Sequence, residues 1–310
     1  MYAGIVGTAI STKHSFLSPY NHTAHFPATA SGFPNSGLRG IFIARSESEN
    51  PPVFATISRM FRARFKQQIV AEFLPAARRS AKKRVIVLCD GMPGMPRKQA
   101  LADFLARRGY WVFYPRYRGA WESDGEFLAS SPHLDVLDVI DQLPRGFRDA
   151  AFGQRFALAP DEVFVIGGSF GGPAAILCSL DARVKRVVAN CPVVDWSILR
   201  TSEKTETSNP SYTSYVREAF GNGYRLSAKN WAKLYTGKFY NPIYHAAEVD
   251  PSKIIMFHAK DDPHVPWRSV ARFARLSGAP LKLLPRGGHL RTEYIVQHYW
   301  PRIHKFFTKP

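Results

Sequence analysis

The sequence has few of the features that mark disulfide-rich or membrane-spanning proteins. It contains three cysteines in 310 residues, Cys89, Cys178 and Cys191, each inside an apolar stretch and none in a CxxC spacing. An odd, small number excludes a disulfide framework and predicts buried thiols in a cytoplasmic protein. No apolar run reaches the roughly 18 uninterrupted residues of a membrane-spanning helix, because four glycines and a serine divide the most apolar stretch.

Motifs for metals and nucleotide cofactors are also missing. The sequence has no HExxH, no clustered Cys and His set, no acidic calcium loop and no dinucleotide-binding glycine fingerprint. We therefore expect neither a metal ion nor an organic cofactor.

Acidic residues are scarce as well. The 24 Asp and Glu are outnumbered by 42 Lys and Arg, which gives a formal net charge of +18 and a pI near 10.0. A disordered basic tail is excluded because 45% of the residues are hydrophobic. The basic runs flank predicted strands and helices outside any recognisable nucleic-acid-binding module, so no nucleic-acid partner is expected. A basic surface can still attract anionic substrates, or an anionic membrane surface weakly.

The chain divides into two parts by composition. Residues 1–59 are rich in Ser, Thr, Pro, Gly and His, and the first acidic residue is Glu47. We interpret these residues as an extension whose order the composition does not define. A single domain is predicted to span residues 60–310.

Apolar strands alternate with amphipathic helices in that domain. The predicted strands are 68–74, 84–89, 110–115, 162–167, 186–191, 253–259 and 280–285, and the predicted helices are 97–109, 134–143, 173–180, 269–276 and 291–306. This alternation predicts an α/β protein with a mainly parallel central sheet and helices on both faces. Residues from about 196–250 carry many aromatics without a strand-like run, which predicts a helical cap insertion; an ordinary helical layer on the sheet is the alternative.

One motif in the sequence indicates a catalytic residue. Residues 167–171 read GGSFG, a G-x-S-x-G pattern that directly follows one predicted strand and precedes a predicted helix. A sharp strand-to-helix turn lifts such a serine into strained geometry at the carboxyl edge of the sheet and aims helix N–H groups at an oxyanion. The pattern predicts Ser169 as a nucleophile; the alternative is a glycine-rich turn that only permits close packing.

With this elbow, the chain resembles the α/β-hydrolases, in which a nucleophile, an acid and a histidine follow in that order. Residues 258–266, HAKDDPHVP, are similar to the H-G-x-x-D-x-x-V-P acid loop of the prolyl-oligopeptidase-like branch, with Ala259 in place of glycine. The resemblance implies Asp262 as the acid. Asp261 is its competitor, and Asp195 is a third option because some lipases carry the acid one strand earlier.

The same resemblance implies a base and an oxyanion hole. His289 follows a predicted strand and precedes the last predicted helix, which is where the family has its catalytic histidine. The implied oxyanion donors are the backbone N–H groups of Phe170 and Met92. Met92 lies in a D-G-M-P-G loop similar to the family's H-G-x-P-G, with Asp90 in place of the usual histidine.

The implied activity is that of a serine hydrolase that forms an acyl-enzyme on Ser169, with a carboxylic ester hydrolase favoured. Its substrate would be a small-molecule ester, or a short peptide if it is a prolyl-oligopeptidase-like peptidase. Peptidases of this branch commonly gate access with an N-terminal propeller, for which the residues ahead of the predicted sheet are too few. A catalytically silent hydrolase fold that binds through its basic surface is the third interpretation.

Overall fold

The computed structural model describes residues 60–78, 80–201 and 212–309. The predicted extension, residues 1–59, lies outside the described residues. Within the described residues the strands are β1 (Phe61–Phe65), β2 (Ile69–Leu74), β3 (Arg84–Cys89), β4 (Tyr110–Pro115), β5 (Phe147–Arg148), β6 (Arg155–Phe156), β7 (Glu162–Gly168), β8 (Val184–Asn190), β9 (Ile254–Ala259) and β10 (Leu281–Leu284). The α-helices are α1 (Gln99–Ala106), α2 (Pro132–Gln142), α3 (Gly171–Cys178), α4 (Trp196–Thr201), α5 (Tyr212–Phe220), α6 (Ala228–Ala232), α7 (Trp267–Ser277), α8 (Thr292–His298) and α9 (Trp300–Phe307).

An eight-stranded sheet organises the domain, in the order β1-β2-β4-β3-β7-β8-β9-β10. The six strands from β4 to β10 in this order are mutually parallel, which confirms the predicted mainly parallel sheet. β1 and β2 add an antiparallel edge, joined by a turn in which Lys66 and Gln67 have positive φ angles of 45° and 61°. β5 and β6 pair separately as a short antiparallel ribbon.

Helices cover both faces of the sheet, as predicted. α2, α3 and α7 pack on one face, in a core that includes Ala175 and Phe273. α1, α8 and α9 pack on the other face, in a core that includes Leu105 and Phe307. Because both faces are covered, the central strand β7 is buried along its whole length, and its sequence is a continuous apolar run instead of an alternating one.

Two predicted helices differ from the structure. The last one, predicted at 291–306, is two helices separated at Tyr299, because Pro301 occupies the first turn of α9 and a proline cannot continue an earlier helix. The helix predicted at 134–143 begins at Pro132 and ends at Gln142, and Leu134 in its first turn is 44% exposed.

The segment between β8 and β9 contains α4, α5 and α6. Its large aromatic side chains are mostly buried: Trp196, Tyr212, Trp231 and Tyr240 are each at most 6% exposed. They pack on one another and on Phe170, with ring centroids of Phe170 and Tyr240 4.9 Å apart. These rings therefore form a core that joins the segment to the nucleophile turn.

None of the helices in the described ranges is both long and apolar enough to cross a membrane. The thiols of all three cysteines are buried and unpaired, as the sequence predicts.

A buried acid lies at the amino-terminal end of the central strands. The side chain of Glu162, 7% exposed, contacts Lys82 at 3.0 Å, Arg84 at 2.9 Å and Lys185 at 2.9 Å. Burial alone would raise the pKa of Glu162, but these three cations hold it at about 2. The cluster thus ties β7 to β3 and β8 electrostatically.

Replacing Glu162 with Gln is expected to lower the free energy of unfolding at neutral pH by about 3 kcal/mol, since it leaves three cations without their anion. The pKa of Glu162 lies below its ordinary value of 4.5, so its stabilisation is complete above that pH and is lost as the pH falls towards about 2. In urea unfolding, the difference in the free energy of unfolding between wild type and E162Q should therefore become smaller as the pH falls. Glu218→Gln, at an exposed position of α5, is the control. A difference in free energy that is small at neutral pH, or constant with pH, would contradict the expectation.

Candidate active site

Ser169 lies on a tight turn between β7 and α3. Its φ is +53°, a left-handed conformation that is rare for a residue with a side chain. The turn is possible because its neighbours lack side chains: a Cβ on Gly167 would lie 2.1 Å from the carbonyl oxygen of Gly171, and a Cβ on Gly171 would lie 2.4 Å from that of Cys89. The two glycines therefore allow strand, helix and the β3 loop to meet at the serine.

Backbone hydrogen bonds hold this turn. The N–H of Ser169 donates to the carbonyl oxygen of Asn190 at 2.8 Å, and its own carbonyl accepts from Gly172 at 3.0 Å and Val193 at 3.3 Å. Such bonds stabilise a strained residue that the sequence alone would disfavour.

Asp262 and His289 form a pair in the loops after β9 and β10. The Nδ1 atom of His289 lies 2.8 Å from Oδ2 of Asp262, and Oδ1 of Asp262 accepts from the N–H groups of His264 at 2.9 Å and Val265 at 3.0 Å. Burial opposes ionisation of Asp262, but His289 and the two N–H groups hold its pKa below the usual value. The acid is thus a carboxylate, so Nδ1 of His289 is the donor of this hydrogen bond, and Nε2 makes no hydrogen bond within the described residues.

The two competing acids have other partners. The carboxylate of Asp261 accepts from the N–H groups of Gly287 at 3.2 Å and Gly288 at 2.8 Å, so it shapes the loop that presents His289. Asp195 accepts from both the N–H and the hydroxyl of Ser197 at the start of α4. Of the three acids, the structure brings only Asp262 to His289.

A group of possible metal ligands lies beneath this pair. Cys191 Sγ, a ring nitrogen of His258 and a carboxylate oxygen of Asp262 lie within 4.8 Å of one another. Nε2 of His258 donates to the carbonyl oxygen of Val265 at 3.0 Å, while Asp262 is bonded to His289. Two of the three groups thus already have hydrogen-bond partners, and Nδ1 of His258 is a buried nitrogen without a partner within the described residues.

The loop after β3 lies against the serine. A Cβ on Gly91 would be 3.4 Å from the Cβ of Ser169, so the next residue, Met92, is adjacent to the nucleophile turn. The backbone N–H groups of Met92 and Phe170 make no hydrogen bond within the described part of the chain. Two unpaired donors beside a serine are the arrangement that an oxyanion requires.

Asp90, which stands where the resembled family has histidine, anchors this loop. Its carboxylate accepts from the Tyr114 hydroxyl and, at 3.0 Å, from the N–H of Gly91. Lys98 lies 3.8 Å from Asp90 and 2.9 Å from Glu293 in the first turn of α8. Burial raises the pKa of Asp90, against the effect of Lys98 and Tyr114. The Lys98 contacts link the β3 loop to the helix that follows His289.

Other contacts at the site were not foreseen from the sequence. The Nδ2 atom of Asn190 donates to the carbonyl oxygen of Leu290 at 2.5 Å, and a Cβ on Gly168 would lie 2.2 Å from Oγ1 of Thr292. Both contacts bring the His289 loop against the serine turn. No sequence motif predicts these contacts, because each joins residues at least 100 positions apart.

The parallel sheet, the serine turn after its central strand and the acid–histidine pair at the same sheet edge define an α/β-hydrolase of the serine hydrolase class. The chain belongs to the prolyl oligopeptidase family, which it matches over residues 97–298. No curated protein matches the sequence.

Solved structures of hydrolases share the fold. An acylaminoacyl peptidase of Pyrococcus horikoshii is 16% identical with a TM-score of 0.56, over 81% of this chain and 42% of that one. An esterase of Pyrococcus furiosus is 14% identical with a TM-score of 0.56, over 85% of this chain and 95% of that one. An esterase of Thermogutta terrifontis is 18% identical with a TM-score of 0.50, over 81% and 96%. The chain thus spans about two fifths of the peptidase and nearly the whole length of the esterases.

Proposed function

We propose that the protein is a carboxylic ester hydrolase that acts through Ser169, His289 and Asp262. The observation that carries the proposal is the hydrogen bond between Asp262 and His289, which leaves a histidine lone pair at the sheet edge where Ser169 is lifted on its turn. The resemblance to esterases along nearly their whole length favours an ester over a peptide.

The proposed reaction begins with proton transfer. Nε2 of His289 takes the hydroxyl proton of Ser169 as Oγ attacks the ester carbonyl, and Asp262 stabilises the imidazolium that results. The N–H groups of Phe170 and Met92 donate to the oxyanion of the tetrahedral intermediate. His289 then protonates the leaving alcohol, and an acyl-enzyme on Ser169 is left. A water molecule, deprotonated by His289, hydrolyses the acyl-enzyme and regenerates the serine.

We propose residues 196–250 as the cap over this site. Its buried rings pack on Phe170, next to Ser169, and join the cap to the nucleophile turn. Buried thiols, which are stable in reducing surroundings, are the basis for proposing a cytoplasmic enzyme. The basic surface would add at most a weak attraction to anionic membranes.

A peptidase acting on short peptides is the second candidate, favoured by the family match and the acylaminoacyl peptidase fold. Rates on p-nitrophenyl acyl esters and on peptide p-nitroanilides, including Xaa-Pro amides, at matched concentrations distinguish the two. We expect esters to be turned over faster, with Ser169→Ala at background on both. Faster amide turnover would favour the peptidase, and a wild type inactive on both would favour the catalytically silent fold.

Asp262→Asn and Asp261→Asn form a matched pair, since the two carboxylates are adjacent in sequence but bind different groups. We expect D262N to lower kcat by about 10⁴-fold, because an amide stabilises the wrong histidine tautomer. D261N should keep kcat within about tenfold of wild type, since it only weakens the loop that presents His289. Equal losses, or a larger loss in D261N, would reverse the assignment of the acid.

A further inference from the structure

The carboxyl end of β8 contacts two of the three loops of the proposed triad. Asn190 is the last residue of the strand and is 1% exposed. β8 lies between β7, which leads to Ser169, and β9, which leads to Asp262. This position brings Asn190 to parts of the proposed site that are far apart in sequence.

Asn190 joins the serine turn to the histidine loop. Its carbonyl oxygen accepts the N–H of Ser169 at 2.8 Å, and its side-chain Nδ2 donates to the carbonyl oxygen of Leu290 at 2.5 Å. Leu290 directly follows His289. One residue therefore contacts the backbone at the nucleophile and the backbone next to the base.

The amide oxygen of the Asn190 side chain, in contrast, is unsatisfied. Its Oδ1 atom is buried and has no hydrogen-bond partner within the described residues. An unsatisfied buried acceptor costs free energy that an apolar side chain of the same shape would avoid. An apolar side chain would therefore pack at this position at a lower cost. What the Asn190 side chain adds is its one hydrogen bond, to the His289 loop.

We propose that Asn190 is a positioning residue of the hydrolase. It holds the His289 loop at a fixed separation from Ser169. The inference rests on the proposed function, because it concerns how that triad is aligned. Small displacements of an aligned base are costly: about 1 Å can lower the rate by about 100-fold.

The test compares Asn190→Leu with Gln142→Leu. Gln142 is a matched control because its amide also joins backbone groups of separate segments, accepting from Lys66 in the β1–β2 turn and donating to Gly146. Both variants are assayed on a p-nitrophenyl ester, with active enzyme counted by fluorophosphonate titration and folding checked by thermal denaturation. We expect N190L to lower kcat by about 10- to 100-fold with KM changed less than about threefold, and Q142L to leave kcat per active site unchanged.

The result that overturns the role of Asn190 is a kcat per active site in N190L within about threefold of wild type, or a loss no larger than that of Q142L. If N190L does not fold, Asn190→Ser is assayed in its place, because a serine side chain is too short to reach Leu290 and adds no bulk. The same limit on kcat per active site then applies. A wild type without ester or amide turnover would instead contradict the proposed function, so the two failures are distinguishable.

Discussion

The left-handed backbone of Ser169 is the constraint on which the rest of the site depends. A residue with a side chain holds this conformation only if its surroundings stabilise it, and here Gly167, Gly171 and a hydrogen bond from its N–H to Asn190 do so. Close packing at the two glycines draws the β3 loop to the serine and leaves two unpaired N–H groups beside it. Geometry at one residue thus determines where an oxyanion and a base would have to lie.

The two ends of the central strand β7 have different roles. β7 begins at Glu162, whose three cationic contacts tie neighbouring strands together, and ends beside Ser169, where polar groups are left free for substrate. In a parallel sheet, side chains at the carboxyl ends of different strands meet at one edge, which explains how loops after β7, β9 and β10 supply one site. The aromatic core under Phe170 then joins the segment between β8 and β9 to that edge.

Much of the fold followed from the sequence, because strands buried on both faces are continuous apolar runs that need no tertiary information. β1 was missed because it has only five residues, too few for a clear pattern. Its Arg62 and Arg64 pair with acids such as Glu72 and Asp124 in the structure. The motifs located Ser169 and His289 but left two adjacent aspartates open, since spacing cannot say which carboxylate points at a histidine. Asn190 could not be found at all, because its partner is 100 positions away.

Whether Ser169 is an activated nucleophile is decided by covalent labelling. Wild-type protein and Ser169→Ala are incubated with a fluorophosphonate, followed by intact mass measurement and peptide mapping. We expect one adduct per wild-type chain, on the peptide that contains Ser169, and none on S169A. A wild type that gains no adduct, or an S169A variant that is labelled equally well, would contradict it.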